Sequence, residues 1–328
     1  MRILYIIQEY PLISQTYMKV EIERVVRQHE VRVIAFSKAH VPYKQHQPFT
    51  LIDRSKPIAM AELVGDTIPD RVHAHYVVTA PIVAQIAKQL DIPFTIRAHS
   101  FDVLEGDLSA RRGIIAALNH PLCRGVLCFP FALPILRQAG VDAAKLVPCW
   151  PVVDVKRFVD RGPNGNRVMN IGACIPKKGM EHYLELAHRM PDLRFDLYAL
   201  GYTVEEMQRR NDALASPVRI VDPIEPEAMP AEYKQHRWMV YTASPQYKSV
   251  GWPMAIAEAQ ASGVGVLMQN VRPDLAEYVG PGFLFDGFDE VERLIRHPVP
   301  EDRREAGFVH AMRSDVDSHI NLLYDLWR

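Results

Sequence analysis

Short runs of apolar, largely β-branched residues alternate along the chain with segments whose apolar residues recur every three or four positions. The first run, RILYII at 2–7, predicts a buried strand, and Met18, Ile22 and Val25 follow it at helical spacing. Alternation of this kind continues to residue 285. Because the apolar runs are continuous, they predict parallel strands in sheets that are covered on both faces. We therefore expect an α/β fold.

The pattern predicts further elements in both halves of the chain. In the first half, apolar strand-like runs occupy 30–36, 70–76, 93–99, 124–129 and 145–150, with intervening segments at 79–90 and 133–140. In the second half, strand-like runs occupy 167–172, 194–201, 218–222, 238–244, 265–269 and 282–285. Helical spacing or small residues mark 179–190, 204–214 and the segment around Glu258, and further segments lie at 227–236 and 273–279.

The segment DRGPNGNR at 160–167 is polar and rich in Gly, Pro and Asn, so it is the best linker candidate. We place a domain boundary near 163, which gives two doubly wound domains at 1–163 and 164–307. The final segment, 308–328, spaces Val316, Ile320, Leu323 and Trp327 as a helix stripe that packs on another element. Ligands of doubly wound sheets bind outside the carboxyl ends of the strands, so we expect a site between the domains.

The composition limits the classes of protein to which the chain can belong. Its 328 residues allow two ordinary domains, and 48% hydrophobic with 23% charged residues is typical of a soluble globular protein. A formal charge of −1 argues against a nucleic-acid partner. The four cysteines lack metal or disulfide spacing, MRILYII is too short for a signal peptide, and no run reaches the ~18 apolar residues of a membrane helix. We expect a cytoplasmic protein, with peripheral membrane contact left open.

The first candidate for chemistry is NIGACIPKKGMEH at 170–182. A predicted strand ends at Gly172, a short turn carries Lys177 and Lys178, and Gly179 precedes a helix. Free N–H groups at the helix start, together with an adjacent lysine, can bind an anion such as a phosphate. The alternative interpretation is that the two lysines belong to a solvated turn.

The second candidate is KSVGWPMAIAEAQASGVGVLMQN at 248–270. Gly251 allows a sharp turn, Pro253 suits a first helical position, and Glu258 follows among alanines. A carboxylate among small residues can bind a sugar-like diol through charge-assisted hydrogen bonds. An exposed helix glutamate is the commoner case and stays the alternative.

The third candidate is the pair HAHY at 73–76 and RAHSFD at 97–102, each at the end of an apolar run. Histidines at strand ends are well placed to meet a substrate, although a lone histidine is more often structural. The sequence has no paired catalytic carboxylates, no Ser-His-Asp order and no HExxH helix, so it predicts neither hydrolytic chemistry nor a zinc site.

These segments, in this order, resemble the motifs of the family 4 retaining glycosyltransferases of the GT-B fold, in particular those that build bacterial exopolysaccharide and lipopolysaccharide. YPLISQTYMKVEI at 10–22 resembles FPxxSETFIxxEI, HAHY resembles HAHF, and FTIRAHSFDV at 94–103 resembles FTxHGxDI. PVVDVKRF at 151–158 resembles GVDxxxF, NIGACIPKKG resembles xVGRLxxKKG, and VGWPMAIAEAQASGVGVL at 250–267 resembles EGFPxxxxEAMAxGxPVV. The likeness covers about residues 1–285, and its specificity lies in the order and spacing of the motifs.

The resemblance implies that a nucleotide-sugar donor binds mainly to the second domain and an acceptor to the first. Lys178 matches the family lysine on the donor diphosphate, Glu258 the second family glutamate on the nucleotide ribose, and His99 the histidine near the transferred sugar. These three are the implied catalytic residues. The implied donor-binding residues are Gly172, Lys177, Lys178, Gly251, Trp252, Pro253 and Glu258, and those on the acceptor or sugar side are Ser14, His75, His99, Asp102 and Val250.

The resemblance also implies a C-terminal helix that crosses back to the first domain. Sugar transfer would retain the anomeric configuration without a metal or another cofactor, and the departing phosphate would help to deprotonate the acceptor. The implied partners are a nucleotide sugar and a glycan, lipid-linked or small-molecule acceptor.

The chain departs from the family pattern at three positions. Ala173 replaces the motif arginine, Val250 the first motif glutamate, and Gly265 the motif proline. Two donor contacts are therefore missing, each worth roughly 1.5–3 kcal/mol if charge-assisted. Arg97, Lys177 and Lys248 are candidates to replace them. If Val250 faces the sugar ring, we expect a donor sugar with an apolar edge there, such as a deoxy sugar.

Three functions remain open at this point. The first is a glycosyltransferase that acts on a glycan, lipid-linked sugar or small molecule. The second is a catalytically weak homologue that binds a nucleotide sugar or glycan as the partner of another enzyme. The third is a sugar-nucleotide epimerase or phosphorylase on the same fold.

Overall fold

The computed structural model describes residues 1–55, 60–65, 67–201, 203–247 and 249–328 of the chain. The chain forms two units. Unit 1 contains Met1–Val152 together with Val316–Arg328, and unit 2 contains Val153–Asp315.

Unit 1 is built on a seven-stranded parallel sheet with the order β3-β2-β1-β4-β5-β6-β7. Its strands are β1 Arg2–Tyr10, β2 Glu30–Lys38, β3 Phe49–Leu51, β4 Arg71–His75, β5 Phe94–Arg97, β6 Cys123–Cys128 and β7 Leu146–Pro148. The helices between them are α1 Thr16–Val25, α2 Met60–Val64, α3 Ala80–Leu90, α4 Ser100–Leu104, α5 Arg112–Leu118 and α6 Ala132–Gln138.

The strand order of unit 1 reverses direction between β1 and β4. The chain moves outward from β1 to β2 and β3, and then returns to place β4 on the other side of β1, with Tyr5 in register with His73. Strands such as β4 and β5 are buried on both faces, as expected for parallel strands in a covered sheet. The carboxyl ends of β1 and β4 therefore flank a crevice of the kind in which doubly wound folds bind ligands.

Unit 2 is built on a six-stranded parallel sheet with the order β10-β9-β8-β11-β12-β13. Its strands are β8 Arg167–Ala173, β9 Phe195–Leu200, β10 Val218–Ile220, β11 His236–Tyr241, β12 Gly265–Gln269 and β13 Phe283–Phe285. The helices are α7 Val155–Phe158, α8 Met180–Arg189, α9 Val204–Ala213, α10 Met229–Lys234, α11 Met254–Ala261, α12 Leu275–Val279, α13 Phe288–Ile295 and α14 Glu301–Ala311. In this unit the order reverses between β8 and β11.

The last helix, α15 Val316–Trp327, packs on unit 1. Val316, Leu323 and Trp327 of the predicted stripe are fully buried. The Trp327 indole N–H donates to Thr95 Oγ1 at 3.1 Å, and Arg71 Nε donates to the Trp327 carbonyl at 2.7 Å. The apolar stripe and these two hydrogen bonds fix the helix against the sheet of unit 1.

The segment 160–167, which composition marks as a linker, lies inside unit 2. Asn164 Nδ2 donates to the carbonyls of His236 at 2.9 Å and Ser262 at 3.1 Å, and Lys234 Nζ donates to the Gly162 carbonyl at 2.8 Å. Long-range side-chain bonds of this kind leave no trace in local composition. Unit 2 consequently extends from Val153 to Asp315, whereas the sequence suggested divisions near 163 and 308.

Two general expectations can be compared with the described residues. All four cysteines are free and buried. Within the described ranges, no helix has both the length and the apolar character that crossing a membrane requires.

Candidate functional site

The crevice of unit 2 begins where β8 ends. Gly172 and Ala173 are the last residues of β8, the turn Pro176–Lys178 follows, and α8 starts at Met180. Between them Gly179 adopts φ +55°, and a Cβ there would lie 3.3 Å from the backbone of Ala243 and Ser244. Only glycine combines that conformation with so close an approach. The turn is therefore held beside the end of β11, where Ser244 N donates to the Lys177 carbonyl at 3.0 Å.

Lys178 is the main cationic group of this crevice. Its Nζ donates to the hydroxyl of Tyr241, the last residue of β11, and lies 4.7 Å from the centre of that ring. Within the described ranges no carboxylate pairs with it. Burial, and secondarily the charge of Lys177, lowers the pKa of Lys178 to about 7. A half-buried cation without a counterion, next to the start of a ten-residue helix, is suited to bind an anion.

Glu258 lies in the second turn of α11, which follows β11. Tyr233 donates its hydroxyl to Glu258 Oε2 at 2.7 Å. The other oxygen, Oε1, has no hydrogen-bond partner among the described residues. Burial raises the pKa of the carboxyl group, and the Tyr233 hydrogen bond and the charge of Arg157 oppose that shift. The side chain is half-buried, with one oxygen fixed by Tyr233 and one oxygen open to accept a further hydrogen bond.

The loop that leads into α11 is held by residues of the α12 region. Arg272 Nη1 donates to the Val250 carbonyl, and the Arg272 guanidinium pairs with Asp274, with Nε 2.7 Å from Oδ1. Trp252 donates its indole N–H to Asp274 Oδ2 at 2.8 Å and stacks on Tyr278 at 4.8 Å with an interplanar angle of 6°. This loop is therefore preorganised by an ion pair and an aromatic stack.

Pro253, Gly251 and Val250 of this loop can be compared with their predicted geometry, and Pro253 differs from it. Pro253 is the residue before the helix and has extended backbone, so the first helical position is Met254. Its carbonyl accepts the Tyr278 hydroxyl at 2.5 Å. Gly251 lies between Val250 and Trp252 in the loop, and the Val250 side chain is 1% exposed. Its predicted role toward the sugar stays a prediction.

The crevice of unit 1 contains a buried ion pair. Glu21 of α1 is 1% exposed, and its Oε2 lies 2.6 Å from Arg97 Nη2 at the end of β5. Its Oε1 lies 3.1 Å from His73 Nε2 and 3.3 Å from His75 Nε2, both on β4. Burial alone would raise the pKa of Glu21, but the charge of Arg97, followed by the effects of His73 and His75, outweighs burial and holds that pKa well below its usual range.

His99 adjoins this cluster at the mouth of the crevice. Its Nε2 lies 3.0 Å from His75 Nδ1. The centroid of its ring lies 4.5 Å from the ring centroids of both Tyr17 and Tyr76. Burial, followed by the fields of His75 and Arg97, lowers the pKa of His99 well below its ordinary value of 6.5. His99 is half-buried and neutral, and it is the member of the cluster that reaches the surface.

Two residues expected on the acceptor or sugar side have supporting contacts instead. His75 is fully buried and bonds to Glu21 and His99. Asp102 is 1% exposed. Its Oδ1 accepts the His99 backbone N–H at 2.8 Å, and its Oδ2 accepts the Val77 backbone N–H. Neither lines an open surface. Ser14 lies half-buried in the turn between β1 and α1.

The three candidates to replace the missing donor contacts have different outcomes. Arg97 is 3% exposed and paired with Glu21, so it is not available to a ligand. Lys177 lies in the turn beside Lys178. Lys248 lies outside the described residues. The motif proline is absent for a steric reason, since a Cβ at Gly265 would lie 2.5 Å from the Trp238 ring.

Among the described residues, one group has the spacing of metal ligands: Glu21, His73 and His75 place ligand atoms within 4.8 Å of one another. Arg97 already balances the Glu21 charge, and Thr95 Oγ1 lies 2.7 Å from His73 Nδ1. The ion pair with Arg97 accounts for the Glu21 charge, so we assign no metal to the group. Glu21 was missed by pattern analysis, although an acid between Met18, Ile22 and Val25 on an apolar helix face is a signal.

No protein-family model matches the chain, and no curated protein matches it in sequence. Solved structures do resemble it. HepE (Alr3699) from Anabaena, in complex with UDP and glucose, aligns over 99% of this chain and 98% of its own with a TM-score of 0.76 at 15% identity. Sucrose-phosphate synthase from Thermosynechococcus elongatus aligns over 100% and 98% with a TM-score of 0.73 at 15% identity.

A third structure, WaaG, a glycosyltransferase of lipopolysaccharide biosynthesis, aligns over 94% of both chains with a TM-score of 0.64 at 12% identity. At such low identity these likenesses show the fold. The chain has the GT-B fold, with two Rossmann-like units built on parallel sheets, and the predicted fold class is confirmed.

Proposed function

We propose that the protein is a glycosyltransferase whose nucleotide-sugar donor binds at the crevice of unit 2. The observation that carries the proposal is that two charged side chains of unit 2, Lys178 and Glu258, lack partners for part of their charge or hydrogen-bonding capacity among the described residues. Lys178 is a cation without a carboxylate partner among the described residues, and Glu258 has one oxygen fixed by Tyr233 and one open. A diphosphate would supply the missing charge for Lys178, and a ribose diol would supply donors for Glu258.

The roles of these groups follow from their chemistry. As the bond between the sugar and the diphosphate breaks, negative charge develops on the leaving phosphate. The Lys178 ammonium and the N–H groups at the start of α8 stabilise that charge. Glu258 holds the nucleoside and does not take part in bond making. The similar fold of HepE, with UDP bound, supports UDP and UDP-glucose as the first ligands to test.

The finer features of the proposal concern the acceptor and the stereochemistry. We place the acceptor on unit 1 near His99, which would contact the transferred sugar or the acceptor. In this proposal, transfer proceeds with retention of configuration. It needs no metal, because Lys178 supplies the charge that a divalent cation supplies in other enzymes. A glycan, a lipid-linked sugar or a small molecule is the acceptor class. Contact with a membrane surface is part of this proposal only if the acceptor is lipid-linked.

Isothermal titration calorimetry with UDP, UDP-glucose and a panel of other nucleotide sugars tests the proposal. We expect at least one nucleotide sugar to bind with a Kd below about 1 mM, in the usual range of enzyme substrates, and to bind less well to Lys178→Ala. Proton NMR of the product with an added acceptor then reports the anomeric configuration. Absence of binding by the whole panel would refute the proposal.

A second function is favoured by one observation. Ala173 and Val250 stand where the resemblance implies two charged donor contacts, and Arg97, one candidate to replace them, is paired with Glu21. A protein that binds a nucleotide sugar as a partner of another enzyme needs the grip of Lys178 and Glu258 but not those contacts. Binding without turnover for every donor and acceptor would favour this function. Turnover of the donor without an acceptor would instead favour an epimerase.

A further inference from the structure

A carboxylate and two histidine rings form a continuous hydrogen-bonded chain in unit 1, from the core to the mouth of the crevice. Glu21 Oε1 lies 3.3 Å from His75 Nε2, and His75 Nδ1 lies 3.0 Å from His99 Nε2. Glu21 and His75 are fully buried, with exposures of 1% and 0%. The connection therefore runs through protein from an ionised carboxylate to a residue at the surface.

The direction of each hydrogen bond in this chain is determined by Arg97. A guanidinium can only donate, and it donates to Glu21 Oε2 through Nε at 2.8 Å, so the carboxylate is ionised and only accepts. His75 must then carry its proton on Nε2 to donate to Glu21. Because burial keeps the imidazole neutral, its Nδ1 has a lone pair and accepts. His99 must consequently donate from Nε2.

We propose that Glu21 is a positioning residue that acts through His75 to fix His99 as the neutral tautomer with its proton on Nε2. In this arrangement the Nε2–H of His99 is engaged inside the protein, and Nδ1 is left as the only acceptor nitrogen of the ring. His99 cannot transfer a proton through Nε2 without breaking the chain that ends at the Glu21–Arg97 ion pair.

The packing around His99 fixes the plane of its ring as well as its proton. The ring plane is nearly parallel to that of its hydrogen-bonded neighbour His75, with a centroid distance of 5.3 Å and an interplanar angle of 18°. Tyr17 and Tyr76 contact it, and their hydroxyls hydrogen-bond to each other at 2.6 Å. Tyr76 adopts φ +73°, a conformation that a non-glycine residue keeps only where its surroundings impose it.

The consequence for the reaction rests on the proposed function. His99 would act as a fixed neutral contact for a sugar or an acceptor, and not as the acid or base that its position suggests. The His99 side chain also accepts the Asp102 backbone N–H in a capping box, so a ligand hydroxyl that donates to Nδ1 would share this nitrogen with the backbone. Glu21 touches no substrate in this scheme, and its effect on turnover is transmitted by ring geometry and tautomer.

The test is Glu21→Gln, which changes one atom and preserves the shape. The glutamine carbonyl must face Arg97, because the guanidinium only donates. Its NH2 group then faces His75, His73 and the Tyr5 hydroxyl, which donates to Oε1 in the wild type and must turn to accept in the variant. His75 Nε2 then accepts, its proton moves to Nδ1, and His99 Nε2 becomes an acceptor with the His99 proton on Nδ1. Nitrogen-15 NMR of histidine-labelled protein distinguishes the two tautomers of each ring.

We expect Nε2–H signals for His75 and His99 in the wild type and in Glu21→Asp, which keeps an acceptor-only carboxylate, and Nδ1–H signals in Glu21→Gln. We also expect kcat/KM to fall by at least about tenfold in Glu21→Gln, with near-normal affinity for UDP on unit 2. Asp196→Asn is the matched control, since Asp196 Oδ2 lies 3.0 Å from His236 Nε2 in unit 2. It should leave the His99 tautomer unchanged.

Either an Nδ1–H tautomer of His99 in the wild type or an unchanged His99 tautomer in Glu21→Gln would overturn the proposal. The tautomer measurement needs no turnover, so it decides the role of Glu21 even if the protein transfers no sugar. A shifted tautomer with unaltered kcat/KM would show that Glu21 controls the ring but that the ring does not serve the reaction, which also overturns the positioning role.

Discussion

Both units carry charged residues beside the point where the strand order of the sheet reverses. The two units differ in the partners that these charged side chains have inside the protein. In unit 1 the crevice beside β1 and β4 holds Glu21, which Arg97 and two histidines surround, so its charge is balanced inside the protein. In unit 2 the crevice beside β8 and β11 holds Lys178 and Glu258, and among the described residues the hydrogen-bond partners of these two side chains are tyrosine hydroxyls.

The comparison separates groups whose charge is compensated inside the protein from groups that we propose to bind a ligand. A buried ion pair contributes to a fixed geometry, and removal of one partner leaves a charge without compensation. Burial lowers the pKa of a lysine that no carboxylate neutralises, and such a lysine gains most when an anion binds. Substitutions in unit 1 should therefore affect folding first, and substitutions in unit 2 should affect ligand binding first.

The largest expected effect is on the stability of unit 1. Glu21→Ala leaves the Arg97 guanidinium buried and unpaired, and we expect a loss of about 3–5 kcal/mol in the free energy of unfolding. Hydrogen exchange of the β1, β4 and β5 amides measures this loss locally. Lys178→Ala is the control, because it removes a charge that no carboxylate among the described residues balances, and it should leave those amides protected. A loss below about 1 kcal/mol would mean that the ion pair is not a structural element.

The sequence predicts the fold better than it predicts the contents of the unit 1 crevice. Continuous apolar runs locate β1, β4, β8 and β11, since each run is a local signal of a strand buried on both faces. Glu21 and Arg97 are 76 residues apart, and no periodicity connects them. Their partnership exists only because α1 and β5 meet over the same sheet edge.

In unit 2 the local motifs are more informative, because strand, turn and helix follow one another within a few residues. Lys178 and Glu258 are each placed by a short segment after a strand, so both could be selected from sequence. Tyr233 and Tyr241 could not, as each meets its partner from a separate part of the chain. His75 and Asp102 show that strand-end polar residues can also support a neighbouring side chain, and their predicted places on the acceptor or sugar side stay predictions.

The second largest expected effect is on catalysis by unit 2. Lys178→Ala should lower kcat/KM by at least about a hundredfold, the loss that accompanies removal of one electrostatic contact to a developing charge. Steady-state kinetics with the donor identified by calorimetry measures it. Lys177→Ala, in the same turn, should cause a smaller loss. Equal losses in both variants would assign the effect to the general charge of the turn instead of to Lys178.

A smaller effect is expected at the nucleoside end of the same crevice. Glu258→Ala removes a charge-assisted acceptor worth about 1.5 kcal/mol, so UDP affinity should fall by roughly tenfold. Tyr233→Phe keeps the carboxylate and removes only the hydroxyl that holds Oε2, and it should cost less. If calorimetry shows UDP affinity unchanged in Glu258→Ala, the ribose lies elsewhere and the diol contact is wrong.

The last and smallest expected effect is the uptake of a proton by unit 2 when the ligand binds. Lys178 has a pKa of about 7 in the empty crevice, so its charge is present below pH 7 and is lost as the pH rises through that value. A bound diphosphate raises the pKa, and binding above pH 7 must then take up a proton. We expect UDP-glucose affinity to fall by about tenfold between pH 6 and pH 8, with proton uptake visible when titrations in buffers of different ionisation enthalpy are compared. UDP-glucose is the suitable ligand because its diphosphate does not titrate in this range.

In Lys178→Ala the uptake should disappear. Uptake that persists in this variant would place the titrating group elsewhere, and the unpaired charge of unit 2 would then not be the feature that recognises the donor.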